Sequence, residues 1–147
     1  MKLNAKPRMS LKLMQICKRF KHQEFPYFVI KTIKCVWDRW IYITLDGKTI
    51  KKENLEDVPN NLWITKSIIF SISEIDYAAF MDKVVASDVE EMILGQVKVP
   101  FNLIKPLCEN VKMFNSMTTH LQDDDNENDI SFDELLEGLP NLENLFM

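Results

Sequence analysis

The chain has 147 residues, 46% of them hydrophobic and 27% charged, ordinary values for a globular protein with one real core. Its charge is split: residues 1–52 carry 13 Lys/Arg against 3 Asp/Glu, whereas residues 53–147 carry 5 against 19, for a formal net charge of −4. No stretch approaches the roughly 20 apolar residues of a membrane span, Lys or Arg breaks every apolar run of the N-terminal 20 residues, so no signal-peptide core is present, and three scattered cysteines without a CxxC argue against a disulfide framework and for a reducing cytoplasmic or nuclear setting.

Residues 9–21, MSLKLMQICKRFK, predict an amphipathic helix, with Leu13, Ile16, Cys17 and Phe20 on one face and Lys18, Arg19 and Lys21 near its C-terminal end, where cations suit the helix dipole. Phe28 to Trp40 is aromatic and ambiguous. Trp40–Leu45 then reads as a strand, and Asp46-Gly47 followed by Lys48-Thr49-Ile50 predicts a hairpin with a type I′ turn. Residues 51–61 are a polar linker. Beyond it, Ile68–Ile72 predicts a buried strand and Glu74–Ala86 a helix with Tyr77, Phe80, Met81 and Val84 inward. Val89–Leu94 predicts a strand, Phe101–Cys108 a short helix, Val111–Phe114 a strand, Phe132–Leu139 a helix and Leu142–Phe146 a last strand.

These elements repeat. Asp88-Val-Glu-Glu-Met92, Asn110-Val-Lys-Met-Phe114 and Asn141-Leu-Glu-Asn-Leu145 share one form, with Met92 and Phe114 separated by 22 residues and Phe114 and Leu145 by 31. The acidic segment around 122–130 accounts for the difference. Phe70 is the expected anchor of a fourth unit, and Phe101 and Phe132 each stand nine residues before their Asn. A strand and a helix every 20–29 residues is the leucine-rich-repeat range. The expected fold is therefore α/β: a short leucine-rich-repeat-like solenoid of alternating helices and parallel strands, preceded by an N-terminal helix and a β-hairpin. Stacked units of this kind leave a strand surface open for a partner.

The residues offer little catalytic chemistry. Three glycines make no phosphate-cradling loop, no GxSxG occurs, and His22 and His120 have no zinc-like spacing with cysteines. The expectation is a non-enzyme without cofactor. The basic first third suits nucleic acid or an acidic partner, but mutual compensation of the two halves is the simpler reading, and no nucleic-acid partner is expected. Calcium is the alternative. Asp123, Asp125, Glu127, Asp129, Ser131 and Glu134 occupy positions 1, 3, 5, 7, 9 and 12 of a loop that resembles an EF-hand, with Asn128 in place of the usual glycine and Pro140 shortening the exit helix.

Leu13-Met-Gln-Ile-Cys-Lys-Arg-Phe20 resembles the last part of an F-box, and Trp40-Ile-Tyr-Ile-Thr-Leu-Asp-Gly47 is similar to the strand that follows it in nematode F-box proteins with degenerate leucine-rich-repeat-like domains. ISFDELLEGLPNLENLF is likewise similar to their repeat endings. The resemblance implies a substrate receptor of a cullin-based ubiquitin ligase, binding a Skp-type adaptor and an unknown substrate protein. It implies residues 1–27 as the last F-box helix, with Leu13, Ile16 and Phe20 facing the adaptor, 28–61 as hairpin and linker, and 62–147 as the interaction domain. A full F-box has three helices, and only the last is matched.

Overall fold

β-Branched and aromatic side chains suit a pleated, half-buried surface, and the stretches richest in them, 28–36, 39–44 and 62–71, are the longest strands of the protein. The computed structural model describes residues 27–123 and 128–147; the helix expected over 9–21, with Leu13, Ile16 and Phe20, lies outside these. In chain order the elements are β1 (Phe28–Val36), β2 (Arg39–Thr44), β3 (Thr49–Lys52), β4 (Leu62–Ser71), α1 (Tyr77–Lys83), β5 (Val84–Ser87), β6 (Glu91–Gly95), β7 (Lys98–Pro100), α2 (Phe101–Ile104), β8 (Met113–Asn115), β9 (His120–Gln122), α3 (Phe132–Gly138) and β10 (Asn144–Phe146). Short 3-10 turns cover Leu55–Asp57 and Lys105–Leu107.

One sheet runs β10-β8-β6-β4-β1-β2-β3, with β5 added beside the first half of β4, and a separate pair joins β7 to β9. β1, β4, β6, β8 and β10 are parallel neighbours; β2 and β3 turn back antiparallel. The expected solenoid of alternating helices and parallel strands therefore does not form. Strand accounts for 44% of the described residues and helix, the two 3-10 turns included, for 21%, with only three short α-helices. The hairpin does not precede the sheet but belongs to it, because β1 pairs with β4 from Phe28↔Leu62 to Val36↔Ser71. The unassigned segment 28–36 is thus the strand that joins the hairpin to everything after it.

Helices are shorter than periodicity suggested, for local reasons. α1 starts at its N-cap Asp76, whose carboxylate accepts from the Ala79 amide at 3.0 Å. It stops at Lys83 because Val84–Ser87 is drawn into the sheet beside β4. Pro106 lacks an amide donor and converts the end of the expected 101–108 helix to 3-10. α3 begins in a capping box: the Ser131 hydroxyl accepts from the Glu134 amide while the Glu134 carboxylate accepts from the Ser131 amide at 2.9 Å.

The core is organised in lateral rows across the sheet. Tyr42, Ile33, Ile68, Met92, Phe114 and Leu145 are paired in sequence from β2 to β10. All are buried except the half-buried Leu145. The 22- and 31-residue spacings are thus the pairing register of β6, β8 and β10, but the place before Met92 belongs to Ile68; Phe70 is opposite Leu94 instead. Phe101 and Phe132 are not equivalent: Phe101 is buried, whereas Phe132 is 56% exposed. Above the row, Phe80 of α1 stacks on Trp40 (5.6 Å between centroids) and meets Phe70 edge-on (5.3 Å), with Tyr77 closing the cluster against Phe70. Aromatic pairs of this kind add about 0.5–1.5 kcal/mol beyond area burial.

Turn chemistry also differs from expectation. Asp46-Gly47 does not make a two-residue type I′ turn. Gly47 alone has positive φ (+88°), its amide donates to the Thr44 carbonyl, and the Thr44 amide bonds to Lys48. This is a three-residue loop with glycine at its left-handed position. The true two-residue turn is Trp37-Asp38, between the paired Val36 and Arg39, with φ of 53° and 58°. Left-handed backbone at a bulky non-glycine residue is strained by about 1–2 kcal/mol. Replacing Trp37 by Asn supplies a residue this turn favours, while Asp38 is kept because its carboxylate accepts from the Glu74 amide at 2.9 Å. The variant is expected to gain about 1 kcal/mol in chemical denaturation. A loss of stability would show that the Trp37 side chain, 68% exposed, is anchored within the fold.

Candidate interaction surface

Side chains alternate faces along a strand, so a second set of rows lies opposite the buried one. Pairing places Lys51, Ile41, Lys34, Ile69, Ile93, Asn115 and Phe146 side by side from β3 to β10. Beside them run Ile43, Thr32, Ser67, Glu91, Met113 and Asn144. In these rows Ile41, Ile43, Lys34, Ile69, Ile93, Met113 and Asn115 are half-buried, and Phe146 is 49% exposed. Thr32 and Ser67 are buried and satisfy each other through a hydroxyl–hydroxyl bond of 2.8 Å.

A sheet packed on one side places polar residues on the other. Here Ile41, Ile43, Ile69 and Ile93 stand where polar residues would, with Lys34 of β1 between Ile41 and Ile69. The surface is an isoleucine stripe interrupted by Lys34, with Lys51 at its β3 end and Glu91 and Asn115 beyond β4. The signal was present in the sequence as runs apolar on both faces, Trp40-Ile-Tyr-Ile43, Ile68-Ile-Phe70 and Met92-Ile-Leu94. Which residue of each run faces away was set by pairing, not composition.

Register is reinforced at the strand entrances. Backbone bonds link Lys66, Glu90, Lys112 and Glu143 in succession (Glu90 N to Lys66 O, Lys112 N to Glu90 O, Glu143 N to Lys112 O, 2.8–2.9 Å). Their charges alternate, and the Lys112 ammonium is 3.2 Å from the Glu90 carboxylate. The pair is exposed and contributes at most about 1 kcal/mol, but a one-strand slip would juxtapose like charges.

Residues 123–134 have a different geometry from an EF-hand, whose loop is entered and left by helices. The chain enters from strand β9 and doubles back: Asp123 N donates to Asn128 O, Ile130 N donates to Leu121 O, and Gln122 bridges Asp129 antiparallel. Asp125 and Glu127 lie outside the described residues. The others have separate neighbours. Asp123 Oδ1 is 3.5 Å from Asn102 Nδ2, Asp129 Oδ1 is 3.7 Å from His120 Nδ1, and Ser131 and Glu134 are engaged in the capping box. The Ser131 amide and then its hydroxyl hold the exposed Glu134 carboxyl below the usual carboxylate range. Glu134 therefore serves the start of α3. Among the described residues no group of three or more His, Cys, Asp or Glu is placed to hold a metal ion.

Both cysteines of the described residues are buried. Burial pushes the Cys108 thiol up to about 12 and raises Cys35 as well, so neither is an activated nucleophile. No helix among the described residues is long and apolar enough to cross a membrane. Comparison with protein-family models, with curated proteins and with solved structures found no match.

Proposed function

We propose that the chain is a non-catalytic protein-interaction module, used as the substrate-receptor part of a cullin-based ubiquitin ligase. The observation that carries the interaction role is the isoleucine stripe, Ile41, Ile69 and Ile93, on the face of the sheet turned away from its main core. Apolar anchors inside a polar margin are the anatomy of a protein interface. The raised thiol pKa values and the separate engagement of the carboxylates support a binding role over catalysis. The ligase assignment rests on the resemblance of residues 13–20 and 40–47 to F-box proteins, with Leu13, Ile16 and Phe20 as the adaptor contact.

Co-expression of all 147 residues with a Skp-type adaptor tests the assignment. The adaptor is expected to co-purify, and Leu13→Asp/Ile16→Asp to release it. No retention of adaptor by the intact chain removes the ligase role and leaves an interaction module of another assembly.

A further inference from the structure

The β10 end of the sheet carries a second recognition feature. In the parallel ladder, the Asn144 amide donates to Lys112 O and the Phe146 carbonyl accepts from Ser116 N. Residues 144 and 146 thus face β8, and by alternation the amide and carbonyl of Leu145 point away from it. Among the described residues β10 pairs with β8 alone. Past the end of β10, next to Met147, a pocket of about 260 Å³ is lined by Leu121, Ile130, Phe132, Leu135, Met147 and the carboxylate-bearing Asp129. Phe132, Phe146 and Met147 are 56%, 49% and 66% exposed.

The surroundings select the occupant. Residues 113–147 contain nine Asp/Glu and no Lys or Arg; Asp129 lines the pocket, and Asp133 on α3 and Glu143 just before β10 are exposed. A second copy joined by two-fold pairing of β10 would bring two acidic ends together. A second copy joined through its β3 edge would leave a free edge at each end and grow without closing.

We infer that the β10 edge binds an extended, basic segment of a partner protein by strand addition. The Leu145 amide and carbonyl supply main-chain hydrogen bonds, the Phe132–Met147 pocket takes an apolar side chain, and the acidic rim pairs with lysine or arginine at alternate positions. This site is separate from the isoleucine stripe and does not depend on the ligase reading.

The test uses the full chain and a peptide of about eight residues alternating Lys and Val, with an alternating Glu and Val peptide as control. The Lys/Val peptide is expected to bind, more weakly as salt rises, while the Glu/Val peptide does not. Leu145→Pro removes the outward amide from a position where an edge strand tolerates proline. It is expected to weaken binding about tenfold. Asp133→Lys/Glu143→Lys alters only exposed side chains and is expected to weaken it comparably. Equal binding of the two peptides overturns the inference. So does undiminished binding by both variants, or a chain that self-assembles through β10 in sedimentation.

Discussion

Phe80→Ala is expected to destabilise the protein by about 3–5 kcal/mol, the range for removing a buried phenylalanine ring. Phe80 is fully buried and, together with Tyr77, joins α1 to the sheet's aromatic layer, stacked on Trp40 and edge-on to Phe70. Its removal leaves a cavity bounded by large rings that belong to strands β2 and β4 and have no freedom to collapse inward. With a total stability of about 5–15 kcal/mol typical of a domain, a loss of this size moves the denaturation midpoint well below that of the parent. Phe80→Leu, which keeps most of the volume, is expected to lose less than half as much. An Ala variant within about 1 kcal/mol of the parent in urea denaturation would show that α1 is not docked as described.

Gly138→Ala is the second large effect, and here a single methyl group is enough. A Cβ at Gly138 would stand 2.6 Å from both Cε1 and Cζ of Phe101, far inside contact distance. Phe101 is itself buried in the core, so its ring lacks free space to move into, and overpacking of this sort costs about 1–3 kcal/mol. The contact is a place where α3 meets α2. Shrinking the obstacle should therefore rescue the variant: Gly138→Ala with Phe101→Leu is expected to be more stable than Gly138→Ala alone. Additive losses in the double variant would refute the steric account. Because α3 supplies Phe132 and Leu135 to the pocket past the end of β10, Gly138→Ala should also weaken Lys/Val peptide binding, and the double variant should restore it.

These two sites show what kind of information reaches the fold from where. Phe80 was readable as an inward residue because the i, i+3, i+4 stripe of α1 is a local property. The closeness of Gly138 to Phe101 was not, because the two are 37 positions apart and meet through the packing of two short helices. The same division holds for the candidate surfaces. The apolar runs that form the isoleucine stripe were visible, yet their outward members were not, since a one-residue change of register exchanges the two faces. The β10 edge follows from strand order, which is a property of the whole sheet. The EF-hand spacing at 123–134 was a genuine sequence pattern, but a strand enters it and a capping box occupies its last ligand.

The sequence by itself determined strands within Trp40–Leu45, Lys48–Ile50, Ile68–Ile72, Val89–Leu94, Val111–Phe114 and Leu142–Phe146, the 22- and 31-residue register that aligns Met92, Phe114 and Leu145, and the acidic character of the β10 end. These are carried by short-range periodicity, β-branched content and composition, which need no partner to be read. Tertiary structure alone decided that Phe28–Val36 is a strand central to the sheet, that Ile68 rather than Phe70 completes the row, and that Trp37-Asp38 turns with left-handed backbone. It also replaced the expected helix–strand solenoid with an eight-stranded mixed sheet. The reason is physical: β1 is stabilised by pairing with residues 39–44 on one side and 62–71 on the other, and such non-local pairing outweighs the weak local preferences of the segments it recruits.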